Sequence, residues 1–251
     1  MKIIIDHHTI SGIPVLEFYN AEALGKLPMV IILHGFTGRK EDHLLHGYML
    51  ACQDFFAVAV DLPMHGELGD PSATPAQVSP HLVEIAMQTM DLLDRLVDIY
   101  SIHPLADTSR MGLLGISLGG TFIYFYLSRR RANYKSAATL ISGATPFLAK
   151  TFRGLQIHFP HFGVTDEFIT FIESLAPQFP FLEGVKDFPL LIQNGAQDPI
   201  IPIDEVRKMV TKARMNYSKP ELLELIDYPE YGHDNPLIMY QKAIEWFTKT
   251  L

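Results

Sequence analysis

Gly115-Ile116-Ser117-Leu118-Gly119 follows directly on a short apolar run, Met111 to Leu114, and leads without a spacer into a helix-compatible segment, Thr121 to Ser128. A strand that becomes a helix so abruptly leaves its central residue on a very tight turn. Glycine is what fits two positions before and two after it. Such a turn aims the Ser117 hydroxyl out of the fold and points the N–H groups and positive dipole end of the next helix at the same spot. A pattern this short also arises by chance. Its meaning depends on partners elsewhere in the chain: an acid, a base, and a loop able to hold an oxyanion.

Around this turn two kinds of segment alternate. Pro28–Leu33, Phe55–Val60, Ala137–Ile141, Leu190–Gln193 and Leu222–Asp227 are of strand length, and runs that are apolar throughout suit strands buried on both faces of a parallel sheet. Helix-compatible stretches fall at 40–53, 75–100, 118–130, 204–214 and 236–249. Residues 2–8 and 13–19 flank Ser11-Gly12 and read as an antiparallel hairpin. The alternation predicts an α/β fold: a doubly wound, mostly parallel sheet of about eight strands. In 75–100 the residues Val83, Met87, Met90, Leu93 and Val97 form a stripe read as core packing. Cys52, beside apolar residues on the 40–53 helix, reads as a buried structural thiol. No repeat or low-complexity linker interrupts the pattern, so residues 1–251 are expected to form one domain.

Composition narrows the partners. With 48% hydrophobic residues the chain can bury a substantial core, and its formal charge of −8 argues against nucleic acid or an anionic membrane as the main partner. Arg129-Arg130-Arg131 falls at the end of the helix after Ser117, where cations complement the dipole. The lone cysteine excludes an internal disulfide and a cysteine-based zinc site. The apolar run Met1–Ile5 is too short for a signal-peptide core, and nothing approaches the ~18 apolar residues of a membrane span, so a cytoplasmic location is expected. The pairs His43/His46 and His158/His161 lack a carboxylate at metal spacing, and nucleotide-binding signatures are missing. Neither a metal nor a cofactor is therefore expected.

A serine that attacks a carbonyl needs a base to take its proton, an acid to orient the base, and donors for the oxyanion. Asp198 follows the strand Leu190–Gln193 after a glycine turn, which sets it at a strand's carboxyl end, where open α/β sheets place ligands. Asp227, ending the next strand, is the rival acid. Among the eleven histidines, His233 lies in Tyr231-Gly232-His233, between the last strand and the last helix, with Asp234 and Pro236 as helix-start signals. The oxyanion donors are expected to be the backbone N–H groups of Leu118 and of Phe36, the latter in His34-Gly35-Phe36-Thr37-Gly38. His34 and His65 read as loop supports rather than proton carriers.

As a set these motifs resemble the α/β-hydrolase superfamily over almost the whole chain, and the order Ser117, Asp198, His233 is the one expected for that fold. The resemblance favours Asp198 over Asp227, because the superfamily carries its acid in such a Gly-x-x-Asp turn. With the Asp61-Leu62-Pro63-Met64-His65-Gly66 loop, it is nearest to bacterial serine carboxylesterases related to the dienelactone-hydrolase and prolyl-oligopeptidase branches. Ser117 stands where dienelactone hydrolases use cysteine and where dehalogenases use aspartate. About twenty residues precede the first core strand, so no propeller domain, and no action on large peptides, is expected. The stretch from Gly143 to Asp187 holds eight of the sixteen phenylalanines, and 165–175 fits a short amphipathic helix. By resemblance it would be a small cap, with Phe147, Phe152, Phe159 and Phe162 lining an acyl pocket; alternatively the rings pack on the sheet or on a second subunit. The implied activity is cofactor-independent hydrolysis of short- to medium-chain carboxylic esters. A thioesterase or amidase with the same triad, and a non-hydrolytic small-ligand binder of the same fold, are the alternatives. A homo-oligomer remains open.

Overall fold

The apolar runs become one eight-stranded sheet in a computed structural model that describes residues 1–129, 133–143, 148–175, 182 and 185–251. Its strands are β1 (Ile3–Ile10), β2 (Ile13–Asn20), β3 (Leu27–Leu33), β4 (Phe56–Val60), β5 (Ala106–Ile116), β6 (Ser136–Leu140), β7 (Leu190–Gly195) and β8 (Leu223–Tyr228). They lie in the order β1-β2-β4-β3-β5-β6-β7-β8. The pairs β1–β2 and β2–β4 are antiparallel and the others parallel. Ser11 and Gly12 close the first hairpin with φ of 50° and 79°, the turn whose twist matches that of its strands.

Helices cover both faces: α1 (Leu44–Ala51), α2 (Pro75–Val78), α3 (Leu82–Ser101), α4 (Leu118–Arg129), α5 (Leu148–His158), α6 (Asp166–Leu175), α7 (Ile203–Arg214) and α8 (Leu237–Thr250). The two-residue period of the strands sorts the core. Met29, Ile31, Leu33, Phe56, Val58 and Val60 face the layer of α3, α4 and α7. Val30, Ile32, Ala57 and Ala59 face α1 and α8. Both sets are buried, at about 1.5–3 kcal/mol for each large apolar side chain. In α4 every residue from Gly119 to Leu127 is buried, as its all-round apolar sequence requires.

Three expectations need correction. The stretch 75–100 is not one helix: a single 3₁₀ turn, Ser79–His81, separates α2 from α3. Pro80 is the reason, since it has no N–H to continue the ladder and its ring crowds the preceding turn. Of the expected stripe, Met90 and Leu93 are buried and Val83 and Val97 pack against the core, but Met87 is 42% exposed, and the buried face also takes in Leu82, Ile85, Thr89, Leu92, Leu96 and Tyr100. Thr89 can lie on that face because its hydroxyl donates to the Ile85 carbonyl at 2.7 Å. Cys52 caps α1 and is half-buried rather than enclosed.

This topology sets the carboxyl ends of β3, β5, β6, β7 and β8 side by side. The loops that follow these strands therefore share one edge of the sheet, and α5 and α6 are inserted between β6 and β7. Among the described residues no helix is long and apolar enough to cross a membrane.

Candidate active site

Strand β5 ends at Ile116 and α4 begins at Leu118, leaving Ser117 alone between them with a φ of 51°. A non-glycine residue holds that left-handed conformation when its surroundings impose it. Here they do. A Cβ on Gly119 would fall 2.4 Å from the Leu33 carbonyl oxygen, and one on Gly115 would fall 2.6 Å from the Gly120 nitrogen. The Ser117 N–H donates to the Leu140 carbonyl at 2.9 Å, and its carbonyl accepts from the Thr121 N–H at 3.0 Å. The Ser117 Oγ, aimed outward, lies 3.0 Å from His233 Nε2.

His233 hangs in the loop between β8 and α8, and its Nδ1 lies 2.7 Å from Asp198 Oδ2. The other carboxylate oxygen of Asp198 accepts the N–H groups of Ile200 and Ile201 at 2.8 and 2.9 Å, so the acid cannot swing away. A carboxylate accepts a proton bond, so Nδ1 carries the hydrogen and Nε2 presents its lone pair to the serine hydroxyl. The two loops are pressed backbone to backbone: Gln197 N–H donates to the Tyr231 carbonyl at 2.9 Å, and a Cβ on Gly195 would meet the Gly232 carbonyl oxygen at 2.2 Å. Asp227, the rival acid, is instead held by Arg207 at 2.6 and 2.9 Å.

The loop after β3 reaches the same place. A Cβ on Gly35 would be 3.4 Å from Ser117 Cβ, and a turn closes behind it through Gly38 N–H to the Gly35 carbonyl at 3.1 Å. His34 secures this turn. Its Nδ1 donates to the Gly35 carbonyl at 2.7 Å, and its Nε2 accepts the Leu62 N–H at 2.9 Å. Burial pushes its pKa down to about 4, so near neutral pH it is an uncharged brace. Leu118 is the first residue of α4, and an N–H in the first turn of a helix has no partner within the helix.

A buried ion pair anchors the neighbouring loop, and sequence reasoning missed it. Asp61 accepts Lys40 Nζ at 2.9 Å, the Lys40 N–H at 2.8 Å and the Glu67 N–H at 2.9 Å. Lys40 also contacts Glu41 and Glu67. Burial alone would lower the lysine's pKa, but the hydrogen bonds to Glu67, Glu41 and Asp61 outweigh it and hold the ammonium above its ordinary value. A signal existed in Asp61 directly after a buried strand, but Lys40 lies twenty-one positions away. His65 bonds the Pro63 carbonyl at 3.0 Å and sets its ring edge-on to Phe36.

A cavity of about 320 Å³ opens above Ser117 and His233. Its walls include Phe152, Leu155, Phe159 and Phe162 from the β6–β7 insertion, with Phe36 and Leu118 opposite. Phe36 and Phe162 meet at 5.5 Å between ring centres. Phe147 lies outside the described residues, as do Phe179 and Phe181. Phe168 supports the wall from behind, edge-on to Phe152 at 5.0 Å. Arg129 ends α4 with its guanidinium over the Phe125 ring at 5.0 Å; Arg130 and Arg131 are not among the described residues.

Among the described residues, Asp6/His8/Glu17 and His7/Glu41/Glu67 are the groups close enough to share an ion. Neither contains His43, His46, His158, His161 or a residue of the Ser117 site. The second group already holds Lys40 through Glu41 and Glu67, and Glu17 of the first accepts the Tyr100 hydroxyl at 2.6 Å.

A doubly wound, mostly parallel sheet with a serine elbow at its carboxyl edge, faced by a histidine and an aspartate from the last two strand ends, defines an α/β-hydrolase. Solved structures share that fold. TT1662 from Thermus thermophilus superposes with a TM-score of 0.75 at 21% identity, over 99% of this chain and 98% of that one. The protein titled "Putative Dienelactone Hydrolase" from Klebsiella pneumoniae subsp. pneumoniae MGH 78578 does so with 0.71 at 20%, over 99% and 100%. The "Putative esterase YitV" of Bacillus subtilis (strain 168) is 30% identical over 258 residues, spanning 97% of both chains. The chain belongs to the esterase family of YitV. No protein-family model matches it.

Proposed function

We propose that this protein is a serine carboxylesterase that cleaves short- to medium-chain esters through an acyl-enzyme. One observation carries this reading: the hydrogen-bonded line Ser117–His233–Asp198 ends in an apolar cavity. His233 Nε2 takes the Ser117 proton as Oγ attacks the ester carbonyl. The N–H groups of Leu118 and Phe36 receive the developing oxyanion, and such preorganised donors are each worth about 10²–10³ in rate. His233 then hands its proton to the departing alcohol. In the second half a water molecule, deprotonated by His233, attacks the acyl carbonyl and Ser117 leaves with the proton. Asp198 holds the imidazole in the required tautomer and stabilises its charged form.

The Phe-lined wall supports an apolar acyl group, and about 320 Å³ lies at the small end of ligand pockets. The substrate in this reading is a small-molecule ester. The test is hydrolysis of p-nitrophenyl esters from acetate to dodecanoate by the wild type and Ser117→Ala. Turnover should peak at one chain length and vanish in the variant. Full activity in Ser117→Ala would sink the reading.

A further inference from the structure

Directly beneath the elbow lies a residue that neither the sequence nor the proposed mechanism uses. Ser142 is fully buried, and its Oγ sits 3.0 Å from the Ser117 carbonyl oxygen and 2.8 Å from that of Leu140. Its single proton is shared between the two carbonyls, of which Leu140 already receives the Ser117 N–H and Ser117 the Thr121 N–H. The backbone that delivers Ser142 is strained: Ile141, a β-branched residue, has a φ of 46°, a conformation such residues adopt only when something enforces it. Two contacts enforce it. Ile141 N–H donates to the Gln193 carbonyl at 2.7 Å, and the buried Asn194 amide donates to the Ser142 carbonyl at 3.2 Å. Packing is close on the far side too, since a Cβ on Gly120 would land 1.9 Å from Ser142 Oγ. Two left-handed non-glycine residues, Ser117 and Ile141, thus directly follow the neighbouring strands β5 and β6.

We propose that Ser142 is a positioning residue for the oxyanion hole, its hydroxyl donating to the Ser117 carbonyl and so fixing the peptide that carries the Leu118 N–H. The peptide unit is planar and trans, so its C=O and N–H point in opposite directions as one rigid body. A donor that pins the Ser117 carbonyl from below therefore fixes the aim of the Leu118 N–H above. The same bond polarises the peptide and strengthens that N–H as a donor. Thr121 N–H reaches the same carbonyl at 3.0 Å from within α4, whereas Ser142 reaches it from the end of the adjacent strand β6. The elbow is then tied both to its own helix and to the adjacent strand.

The inference rests on Ser117 as nucleophile and on Leu118 N–H as an oxyanion donor. Ser142→Ala is compared with the wild type and Ser117→Ala in kcat, KM, melting temperature and affinity for a boronic-acid mimic of the tetrahedral stage. In Ser142→Ala, kcat should fall roughly 5- to 30-fold, less than the loss of a whole oxyanion donor. KM should stay within about twofold, and affinity for the mimic should fall in parallel with kcat. Ser142→Cys, which nearly keeps the side-chain size but replaces the hydroxyl by a weak donor, should reproduce the pattern and serves if Ser142→Ala does not fold. A lowered melting temperature with unchanged kcat and mimic affinity would overturn the proposal, reducing Ser142 to a cap on Leu140. If Ser117→Ala kept full activity, the nucleophile assignment itself would fail and this inference with it.

Discussion

Two histidines stand beside Ser117 in opposite surroundings, His34 bracing the loop after β3 and His233 facing the serine hydroxyl. His34 has both ring nitrogens engaged by backbone, one donating to Gly35 and one accepting from Leu62. Burial keeps it neutral down to about pH 4. His233 has one nitrogen fixed by Asp198, the other facing the serine hydroxyl, and a side chain 21% exposed. In the proposed reaction this difference sets a proton-carrying histidine apart. It needs one anchored nitrogen, one nitrogen aimed at a group that exchanges a proton, and enough solvent to tolerate the charged form. His34 fails on two counts and becomes a strut.

The sharpest way to break this contrast is to remove each ring. His233→Ala should lower kcat/KM on the order of 10⁵–10⁶-fold, with the melting temperature little changed. Asp198→Asn should cost on the order of 10⁴ in kcat by favouring the wrong tautomer. His34→Ala should show the opposite balance: it strands the Leu62 N–H and takes one of two donors from the Gly35 carbonyl, removing roughly 1–3 kcal/mol of stability by urea titration. Because His34 passes no proton, the acid limb of the pH–kcat/KM profile of that variant should stay where it is in the wild type. A displaced limb would assign His34 a catalytic proton.

Stability against pH sharpens the same point. Burial, first of all, pushes His34 and His46 down to about 4 and His43 to about 3, against roughly 6.5 for a free histidine. The unfolded chain takes up protons that the folded one refuses. The stabilising contribution is therefore complete above about pH 6.5 and is lost as the pH falls toward 4, at up to about 1.4 kcal/mol per pH unit for each ring. Urea midpoints at pH 7 and pH 5 should differ accordingly, and equal midpoints would contradict these burial effects. The smallest expected effect is on selectivity: Phe162→Ala should move the preferred acyl chain longer by a few carbons and change kcat/KM on the short esters by roughly tenfold or less.

What could be read from the sequence was local. Ser117, the glycine turn before Asp198 and the loop around His233 each declare themselves within about five residues, because turn chemistry is set by neighbours in the chain. The strands were legible for the same reason, since runs such as Met29–Leu33 have to be buried on both faces. What was hidden depends on adjacency that folding alone creates. Ser142 meets Ser117 across twenty-five positions, and Lys40 meets Asp61 across twenty-one; neither residue stands in a motif. The break in the stretch 75–100 was a different failure, because Pro80 was present to be read and the apolar period concealed it.

The most direct test of the whole account is mass spectrometry after exposure to a p-nitrophenyl alkylphosphonate, which stays bonded to the oxygen that attacks it. One phosphonyl group is expected, carried on the peptide containing Ser117, with esterase activity lost in proportion to labelling and no label in Ser117→Ala. Ester hydrolysis at the full rate after Ser117 is completely labelled, or a label on a different residue that accounts for the inactivation, would contradict it.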